Sequence, residues 1–354
     1  MNTLVLKVNP QEPDLSVLAT AANVIRRGGL VAFPTETVYG LGANALDPVA
    51  VRSIFAAKGR PLDNPVIVHV SHHDQVRGLV SQVTPVSQIL MERFWPGPLT
   101  LVLPRSEAVP PEVCAGLDTV ALRMPAHKVA LKLIELAGVP IAAPSANASG
   151  RPSPTRASHV LEDLDGKVDV ILDAGPTGVG VESTVVDARG TPVVVLRPGG
   201  VTLEQLKQAL GSDKVILHRA ALDETALGSG PPPSPGMKYR HYAPKAKLIV
   251  VAGLPDRLAA VVLELAHKFS REGKSVAILA SEETAHQYRS EYRVLVAGSR
   301  RQLDVVAANL FAKLRECDRM GVDVVIAEGY PEEGVGLAVM NRLLRAAGGQ
   351  VIRV

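Results

Sequence analysis

The residues most suited to chemistry are two cations, Lys58 and Arg60, on either side of a glycine. Gly59 is typical of the left-handed residue that ends a helix, so both side chains are predicted to lie at a helix C-terminus. Cations at that position often serve only to complement the negative end of the helix dipole. Here Pro61 and Pro65 follow and restrict the path of the chain, which holds both cations on a short, stiff loop. This rigid placement favours the binding of an anion.

Hydroxyl groups and glycines precede that helix. Thr35 and Thr37 supply the hydroxyls, and Gly40 and Gly42 leave their backbone amides unhindered. A turn between a strand and the helix accounts for the glycines, but it does not account for the run Thr35-Glu36-Thr37 that precedes them. The Walker A pattern does not occur in the sequence, so the phosphate-binding loop of P-loop proteins is excluded. We therefore predict a polar turn that leads from a strand at 30–33 into the helix.

Short alternating runs predict strands that carry further polar residues. Residues 64–70 alternate, which places His69 on the face opposite the valines. A lone histidine at a strand end is more often structural than functional. Residues 119–123 predict another strand, with Thr119 and Arg123 on one face. This strand either lies half-exposed at a sheet edge with its polar face in water, or presents Arg123 for bidentate binding of a carboxylate.

Two polar residues, Ser145 and Asn147, follow the predicted strand at 139–143. Side chains just beyond the carboxyl end of a strand are the usual place for ligand contacts in an open α/β sheet. The competing interpretation is a simple turn, which these residue types also favour.

Four stretches of the sequence resemble the motifs of one family. They are PTETVYGLG from Pro34, KGRPLDNP from Lys58, PSANASG from Pro144, and SPGMKYRHYAP from Ser234 to Pro244. In this order they resemble the YrdC-type threonylcarbamoyl-AMP synthases, and the last resembles the linker of the two-domain members. The family's Lys-x-Arg and Ser-x-Asn signature falls on Lys58, Arg60, Ser145 and Asn147.

The resemblance implies an enzyme that joins L-threonine, bicarbonate or carbon dioxide, and ATP into threonylcarbamoyl-AMP, with release of pyrophosphate. It implies that Lys58 and Arg60 are catalytic and lie against the phosphates. The implied threonine-binding residues are Thr37, His69, Arg123, Ala143 and Ser183. The implied ATP-binding residues are Lys58, Arg60, Asn64, Thr119, Ser145, Asn147, Ser153, Arg197 and one of the linker tyrosines Tyr239 and Tyr242, between which the sequence does not choose.

The same resemblance gives expectations for cofactors and partners. Mg²⁺ would arrive with ATP, without a predicted metal site of the protein's own, and no organic cofactor is expected. The product would pass to a downstream tRNA threonylcarbamoyl-transferase complex, and direct binding of tRNA is left open. The YrdC-like fold also resembles double-stranded-RNA-binding modules, so a tRNA- or ribosome-binding role without catalysis is the alternative function.

Composition limits the class of protein. The chain has 354 residues, of which 47% are hydrophobic and 21% charged, and its net charge of +3 is far from that of a nucleic-acid-coating protein. Its two cysteines, Cys114 and Cys317, are widely separated and indicate neither a disulfide framework nor a cysteine metal site. The sequence begins without a signal-peptide pattern and has no apolar run of membrane-spanning length. We expect a cytoplasmic protein without membrane contact.

Two α/β domains are predicted, joined by a linker. A segment rich in proline, glycine and serine at 221–236 separates them. We expect a YrdC-like catalytic domain with an open twisted α/β sheet at 1–217, and a linker that serves as a lid at 218–246. Alternation of strands and helices then predicts a Rossmann-like, doubly wound parallel sheet at 247–354.

Overall fold

The computed structural model describes residues 2–221, 232, 234 and 242–354. They form two compact units. The first contains 2–149 and 153–221 together with Pro232 and Ser234, and the second contains 150–152 and 242–354. The domain boundaries predicted after residues 217 and 246 stay predictions, because much of the segment between them lies outside the described residues.

The first unit is built on a large mixed sheet. Its strands are β1 (Leu4–Lys7), β2 (Val31–Phe33), β3 (Gly40–Asn44), β4 (Ile67–His69), β5 (Leu99–Pro104), β6 (Thr119–Arg123), β7 (Ile141–Ala142), β8 (Val170–Asp173), β9 (Thr184–Asp187), β10 (Val193–Arg197) and β11 (Val215–Leu217). Within the described residues they form one sheet of eleven strands in the order β1-β8-β2-β3-β7-β4-β6-β5-β9-β10-β11. Parallel and antiparallel pairs both occur, as between β4 and β6 and between β5 and β6.

Helices cover both faces of this sheet. They are α1 (Leu15–Arg26), α2 (Pro48–Lys58), α3 (Val76–Leu79), α4 (Pro85–Phe94), α5 (Pro111–Cys114), α6 (Lys128–Ala137), α7 (Ala157–Leu164) and α8 (Leu203–Leu210). Helices α1 and α6 pack on the face that carries Val31 and Phe33, while α2, α4 and α7 pack on the face that carries Ala32 and Leu41. Successive residues of β2 thus enter different cores, as the period of a strand requires.

The local signals at both ends of α2 are confirmed. Asp47 is the N-cap, and its carboxylate accepts hydrogen bonds from the backbone amides of Val49 at 2.9 Å and Ala50 at 3.3 Å. Pro48 is the first helical residue, and Gly59 ends the helix with a φ of +61°. The helix therefore places Lys58 and the chain leading to Arg60 at one defined end.

The turn predicted around Gly40 and Gly42 is wrong, because these glycines lie in strand β3. The strand pairs antiparallel with β2, so that Phe33 lies opposite Gly40 and Val31 opposite Gly42. A Cβ atom on Gly42 would come within 2.7 Å of Ile141 and 2.8 Å of Phe33. Glycine is required here by close packing inside the sheet rather than by a turn.

Strand β6 lies inside the sheet, so the half-exposed edge interpretation is also wrong. All five of its residues are buried, and it pairs with β4 on one side and β5 on the other. Arg123 and Thr119 are consequently shielded from bulk water. Hydrogen bonds and ion pairs of a buried arginine are stronger than those of an exposed one.

The second unit is a doubly wound parallel sheet, as predicted. Its strands are β12 (Lys247–Ala252), β13 (Val276–Ser281), β14 (Arg293–Gly298), β15 (Val324–Glu328) and β16 (Val351–Arg353), in the order β14-β13-β15-β12-β16. All of the strand pairs are parallel. The helices are α9 (Pro255–Arg271), α10 (Leu303–Met320) and α11 (Gly336–Ala346). Helix α9 packs on the face that carries Ile249 and Ile326, and the alternate residues Val250 and Val325 are also buried.

Three residues that follow the Ser-x-Asn motif belong to the second unit. Arg315, which is fully buried in α10, donates a hydrogen bond to the carbonyl of Pro152 at 2.6 Å. Arg151 forms an ion pair with Asp318 at 3.4 Å. The sequence did not predict this contribution of 150–152 to the second unit.

None of the helices within residues 2–221 and 242–354 combines the length and the apolar character that crossing a bilayer requires.

Candidate active site

Arg123 is the centre of a buried polar cluster at the end of β6. Its Nε donates to the carbonyl of Gly97 at 3.2 Å, and one terminal nitrogen donates to the hydroxyl of Thr37 at 2.9 Å. The other terminal nitrogen lies 2.7 Å from a carboxylate oxygen of Glu36. The structure therefore brings together Arg123 and Thr37, two of the residues predicted to bind threonine.

His69 lies beside Arg123 on the neighbouring strand. The two residues are register partners in the parallel pair of β4 and β6, and the imidazole packs edge-on against Phe33. Burial, followed by the charge of Arg123, lowers the pKa of His69 to about 3, although the backbone of Ile67 and Ile141 opposes this in part. The side chain is thus a neutral imidazole at pH 7. Its Nδ1 completes no hydrogen bond within the described residues, which suits a site for a substrate hydroxyl.

This low pKa predicts that acid destabilises the first unit. The unfolded chain takes up a proton on His69 near pH 6.5 and the folded chain only near pH 3, so stability is lost as the pH falls through that window. The slope is at most about 1.4 kcal/mol per pH unit for this one group. We expect His69→Gln to flatten the loss between pH 7 and pH 5. Urea unfolding followed by the fluorescence of the single tryptophan, Trp95, reports the first unit.

The matched control is His72→Gln, because His72 is exposed in the same unit. It should retain the pH dependence of the wild-type protein. An unchanged pH dependence in His69→Gln would contradict the assignment.

Ser183 and Arg197 meet at another point of the sheet. Arg197 donates to the carbonyl of Ser183 at 3.0 and 3.2 Å and to its hydroxyl at 3.3 Å. The Ser183 hydroxyl also shares a 2.8 Å hydrogen bond with Thr100. A Cβ atom on Gly199 would come within 2.3 Å of the backbone at residues 182 and 184, so only glycine lets the chain after β10 pass this closely.

Lys58 joins the Lys-x-Arg motif to the Ser-x-Asn motif. Its side chain is buried, and Nζ donates to the carbonyl oxygens of Ser145 and Asn147, each at 2.5 Å. The backbone amide of Ser149 donates in return to the carbonyl of Lys58 at 2.9 Å. Lys58 therefore positions the 145–149 loop against the end of α2, in addition to bringing a positive charge there.

The loop after α2 is closed by Arg60 and contains an unusual buried amide. Arg60 donates to the carbonyls of Asn64 at 3.2 Å and Pro65 at 2.9 Å. The side chain of Asn64 is fully buried, yet neither its oxygen nor its nitrogen makes a hydrogen bond within the described residues. Such an amide costs about 1–3 kcal/mol. Buried unsatisfied groups are rare and need an explanation, which a ligand would supply.

We expect Asn64→Leu to stabilise the first unit and to impair nucleotide binding. Leucine has a similar volume and removes the unsatisfied amide, so the free energy of unfolding should rise by about 1 kcal/mol or more. The KM for ATP should rise about tenfold through the loss of the amide contacts. Tryptophan fluorescence during urea unfolding and steady-state kinetics measure the two effects. The affinity for threonine serves as the control and should not change; lower stability with an unaltered KM for ATP would contradict the prediction.

The remaining predicted residues occupy varied positions. Ser153 is fully buried and donates to a carboxylate oxygen of Glu182 at 2.5 Å. Ala143 is buried and its amide donates to the carbonyl of Ile67. Thr119 lies at the opposite end of β6 from Arg123. The roles assigned to these three residues stay predictions.

The two linker tyrosines have different outcomes. Tyr239 lies outside the described residues. Tyr242 belongs to the second unit, where its ring stacks on Phe311 at 5.2 Å and the guanidinium of Arg342 lies 5.4 Å from its centre. Tyr242 therefore has a packing role within the second unit, and its predicted contact with the nucleotide stays a prediction.

Glu36 is a member of the Arg123 cluster that the sequence did not assign. The run Thr35-Glu36-Thr37, which a turn does not explain, was the available signal. The run did not reveal the partner, because Glu36 precedes β3 while Arg123 lies at the end of β6.

Comparisons with known proteins cover nearly the whole chain. Residues 23–199 match the family model Sua5_yciO_yrdC, described as telomere recombination, and residues 201–348 match the model for the threonylcarbamoyl-AMP synthase C-terminal domain. The threonylcarbamoyl-AMP synthase of Pyrococcus abyssi is 50% identical over 99% of this chain and 100% of its own length. That of Bacillus subtilis is 50% identical over 95% of this chain and 94% of its own length.

A solved structure matches the same extent. The crystal structure of P. abyssi Sua5 complexed with L-threonine has a TM-score of 0.92 and 50% identity, covering 99% of this chain and 100% of that one. The family resemblance seen in the motifs is thereby confirmed. The chain belongs to the Sua5/YrdC family of threonylcarbamoyl-AMP synthases, in its two-domain form.

Proposed function

We propose that this protein is an L-threonylcarbamoyladenylate synthase. It joins L-threonine, bicarbonate or carbon dioxide, and ATP into threonylcarbamoyl-AMP and pyrophosphate, the first step in making threonylcarbamoyladenosine in tRNA. One observation carries the proposal. Lys58 donates hydrogen bonds to the carbonyls of Ser145 and Asn147, so both signature motifs meet, in a chain of which 99% aligns with a threonylcarbamoyl-AMP synthase.

The amino acid binds at the Arg123 cluster. The guanidinium of Arg123 receives the carboxylate of threonine, since its planar donors suit a bidentate carboxylate. The neutral imidazole of His69 and the hydroxyl of Thr37 hold the hydroxyl end, and Ala143 and Ser183 complete the pocket. Support comes from the burial of all five residues, because charged hydrogen bonds gain strength where water is excluded.

ATP binds against the two signature motifs. Lys58 and Arg60, with Arg197, supply positive charge to the phosphates. Asn64, Thr119, Ser145 and Ser153 contact the nucleotide, and Asn147 orders the loop. A linker tyrosine covers it. Mg²⁺ enters with ATP and neutralises part of the phosphate charge; among the described residues, no three His, Cys, Asp or Glu cluster as a metal site of the protein.

The reaction is an adenylyl transfer, which makes the protein a nucleotidyltransferase. The amine of threonine captures carbon dioxide, and an oxygen of the resulting carbamate attacks the α-phosphate while pyrophosphate leaves. The protein contributes positioning and stabilisation of the negative charge that develops. A cysteine nucleophile is not needed, and burial raises the pKa of the Cys114 and Cys317 thiols to about 12.

The product then passes to a tRNA threonylcarbamoyl-transferase complex. Threonylcarbamoyl-AMP is a mixed anhydride, so a direct transfer between proteins would protect it from water.

Pyrophosphate release with each substrate omitted in turn tests the proposal. Release should need ATP, L-threonine and bicarbonate together. Release without threonine would point to another amine in the same pocket. No release under any combination would favour the RNA-binding alternative, whose binding should weaken steeply with salt.

A further inference from the structure

Glu36 faces Arg123 in the pocket where the amino acid is proposed to bind. One of its carboxylate oxygens lies 2.7 Å from the terminal nitrogen of Arg123, and the two side chains are 14% and 4% exposed. The backbone here is also bonded, since the carbonyls of Glu36 and Thr37 accept hydrogen bonds from the amides of Val179 and Gly180. The ion pair and these backbone bonds together hold the carboxylate against Arg123.

The carboxylate of Glu36 has lone pairs that no described residue fills with a hydrogen bond. The carboxylate and the guanidinium of Arg123 are close enough to form an ion pair, but their relative orientation does not give a hydrogen bond. Neither oxygen of Glu36 accepts a hydrogen bond from any other described residue. His127 is close enough for the negative charge of Glu36 to oppose the lowering of its pKa by burial. A buried carboxylate normally accepts several hydrogen bonds, so Glu36, whose charge is paired with Arg123, still has lone pairs for a further donor.

An amino acid brings a further N–H donor that this carboxylate can accept. Its zwitterion carries a carboxylate and an ammonium group on the same carbon atom, and Arg123 and Glu36 present the opposite charges side by side, 2.7 Å apart. A carboxylate bound to the guanidinium brings the ammonium group within reach of Glu36.

We propose that Glu36 binds the α-amino group of the substrate, so that the Arg123–Glu36 pair recognises the zwitterion of an amino acid. This inference rests on the proposed function, and it adds a substrate-binding residue that also aligns the reacting nitrogen. The ammonium group gives up one proton to solvent before the reaction, and the nitrogen gives up a second to solvent as its bond to carbon dioxide forms. An N–H that donates to Glu36 leaves the lone pair of the neutral amine free for carbon dioxide. The carbamate nitrogen keeps one N–H, so the contact persists through the reaction.

A competing interpretation assigns Glu36 the opposite effect. In it, Glu36 merely occupies Arg123 until the carboxylate of threonine displaces it, so that removal of its charge tightens binding. The two interpretations predict opposite changes in the affinity for threonine when the charge of Glu36 is removed.

Calorimetric titration with two ligands separates them. The ligands are L-threonine and (R)-3-hydroxybutyrate, which is threonine without its amino group. The proteins are wild type, Glu36→Gln, and the control Glu112→Gln, which removes a glutamate paired with Arg52 on the surface of the same unit.

Glu36→Gln should weaken threonine binding by about 10- to 100-fold, the value of a charged hydrogen bond. It should leave 3-hydroxybutyrate binding unchanged or tighter, since no amino group is lost and a repulsive charge is removed. Glu112→Gln should match the wild type with both ligands.

Each other outcome overturns the inference. Equal weakening of both ligands would mean that Glu36 only orients Arg123, and tighter threonine binding would establish the displacement interpretation. If Glu36→Gln does not fold, the wild-type protein decides, because the inference requires threonine to bind at least about tenfold more tightly than 3-hydroxybutyrate. If the wild-type protein binds threonine and Glu36→Gln binds it equally well, only this inference is refuted. If the wild-type protein does not bind threonine, the proposed function is refuted as well.

Discussion

Replacing Arg123 by glutamine should lower kcat/KM for threonine by about 10²- to 10⁴-fold, the cost of losing two charged hydrogen bonds. The residue lies at the centre of the buried cluster, where it contacts Gly97, Thr37 and Glu36. Steady-state kinetics with threonine varied at saturating ATP and bicarbonate measure the loss. The KM for ATP should change far less, because the residues proposed for the nucleotide are not contacts of Arg123.

The same substitution should also destabilise the first unit. It leaves the buried carboxylate of Glu36 without its counter-charge, which costs on the order of 3–5 kcal/mol when a buried pair is broken from one side. The double variant Arg123→Gln with Glu36→Gln removes both charges, so it should regain most of the lost stability but none of the activity. Recovery of activity in the double variant, or near-normal activity in the single one, would show that Arg123 has only a structural role.

Replacing Lys58 by methionine should lower kcat/KM for ATP by about 10²- to 10³-fold, comparable to the loss of an oxyanion-hole donor. Methionine retains the apolar stem in the buried site while the charge and the donors to Ser145 and Asn147 are lost. The substitution therefore removes a cation from the phosphates and releases the loop that carries the Ser-x-Asn motif. Kinetics with ATP varied measure the effect.

Threonine affinity is the control for Lys58→Met, since the Arg123 cluster should remain intact. A variant with reduced stability but a wild-type kcat/KM for ATP would assign Lys58 to loop packing alone. A loss confined to threonine binding would contradict the division of the site into an amino-acid end and a nucleotide end.

Local sequence signals predicted the elements that position the site. Asp47, Pro48 and Gly59 act on their own backbone neighbours, so the bounds of α2 could be derived from short-range rules. The alternation of residues 119–123 predicted β6 and the shared face of Thr119 and Arg123. The parallel sheet of the second unit followed from the alternation of strands with helices in the same way.

The features that the sequence did not predict depend on contacts between distant parts of the chain. Gly42 is required by Phe33 and Ile141, which a rule for turns cannot anticipate. The neighbours of β6 decide whether it is an edge strand, and its own sequence does not name them. Glu36 has a partner 87 residues further along the chain, and only the fold brings Arg123 to it. The hydrogen bonds from Lys58 to the Ser-x-Asn loop join residues that are similarly far apart in the sequence. The motifs therefore predicted both groups of residues but not the contact between them.

The measurement that tests the central claim most directly is the fate of labelled bicarbonate. The wild-type protein is incubated with ¹⁴C-bicarbonate, L-threonine, ATP and Mg²⁺, and the nucleotides are separated and identified by mass. The account predicts one labelled nucleotide, with the mass of AMP joined to threonine carbamate, formed in an amount equal to the pyrophosphate released and only when threonine is present. Pyrophosphate release without a labelled nucleotide, or labelling that does not need threonine, would contradict it.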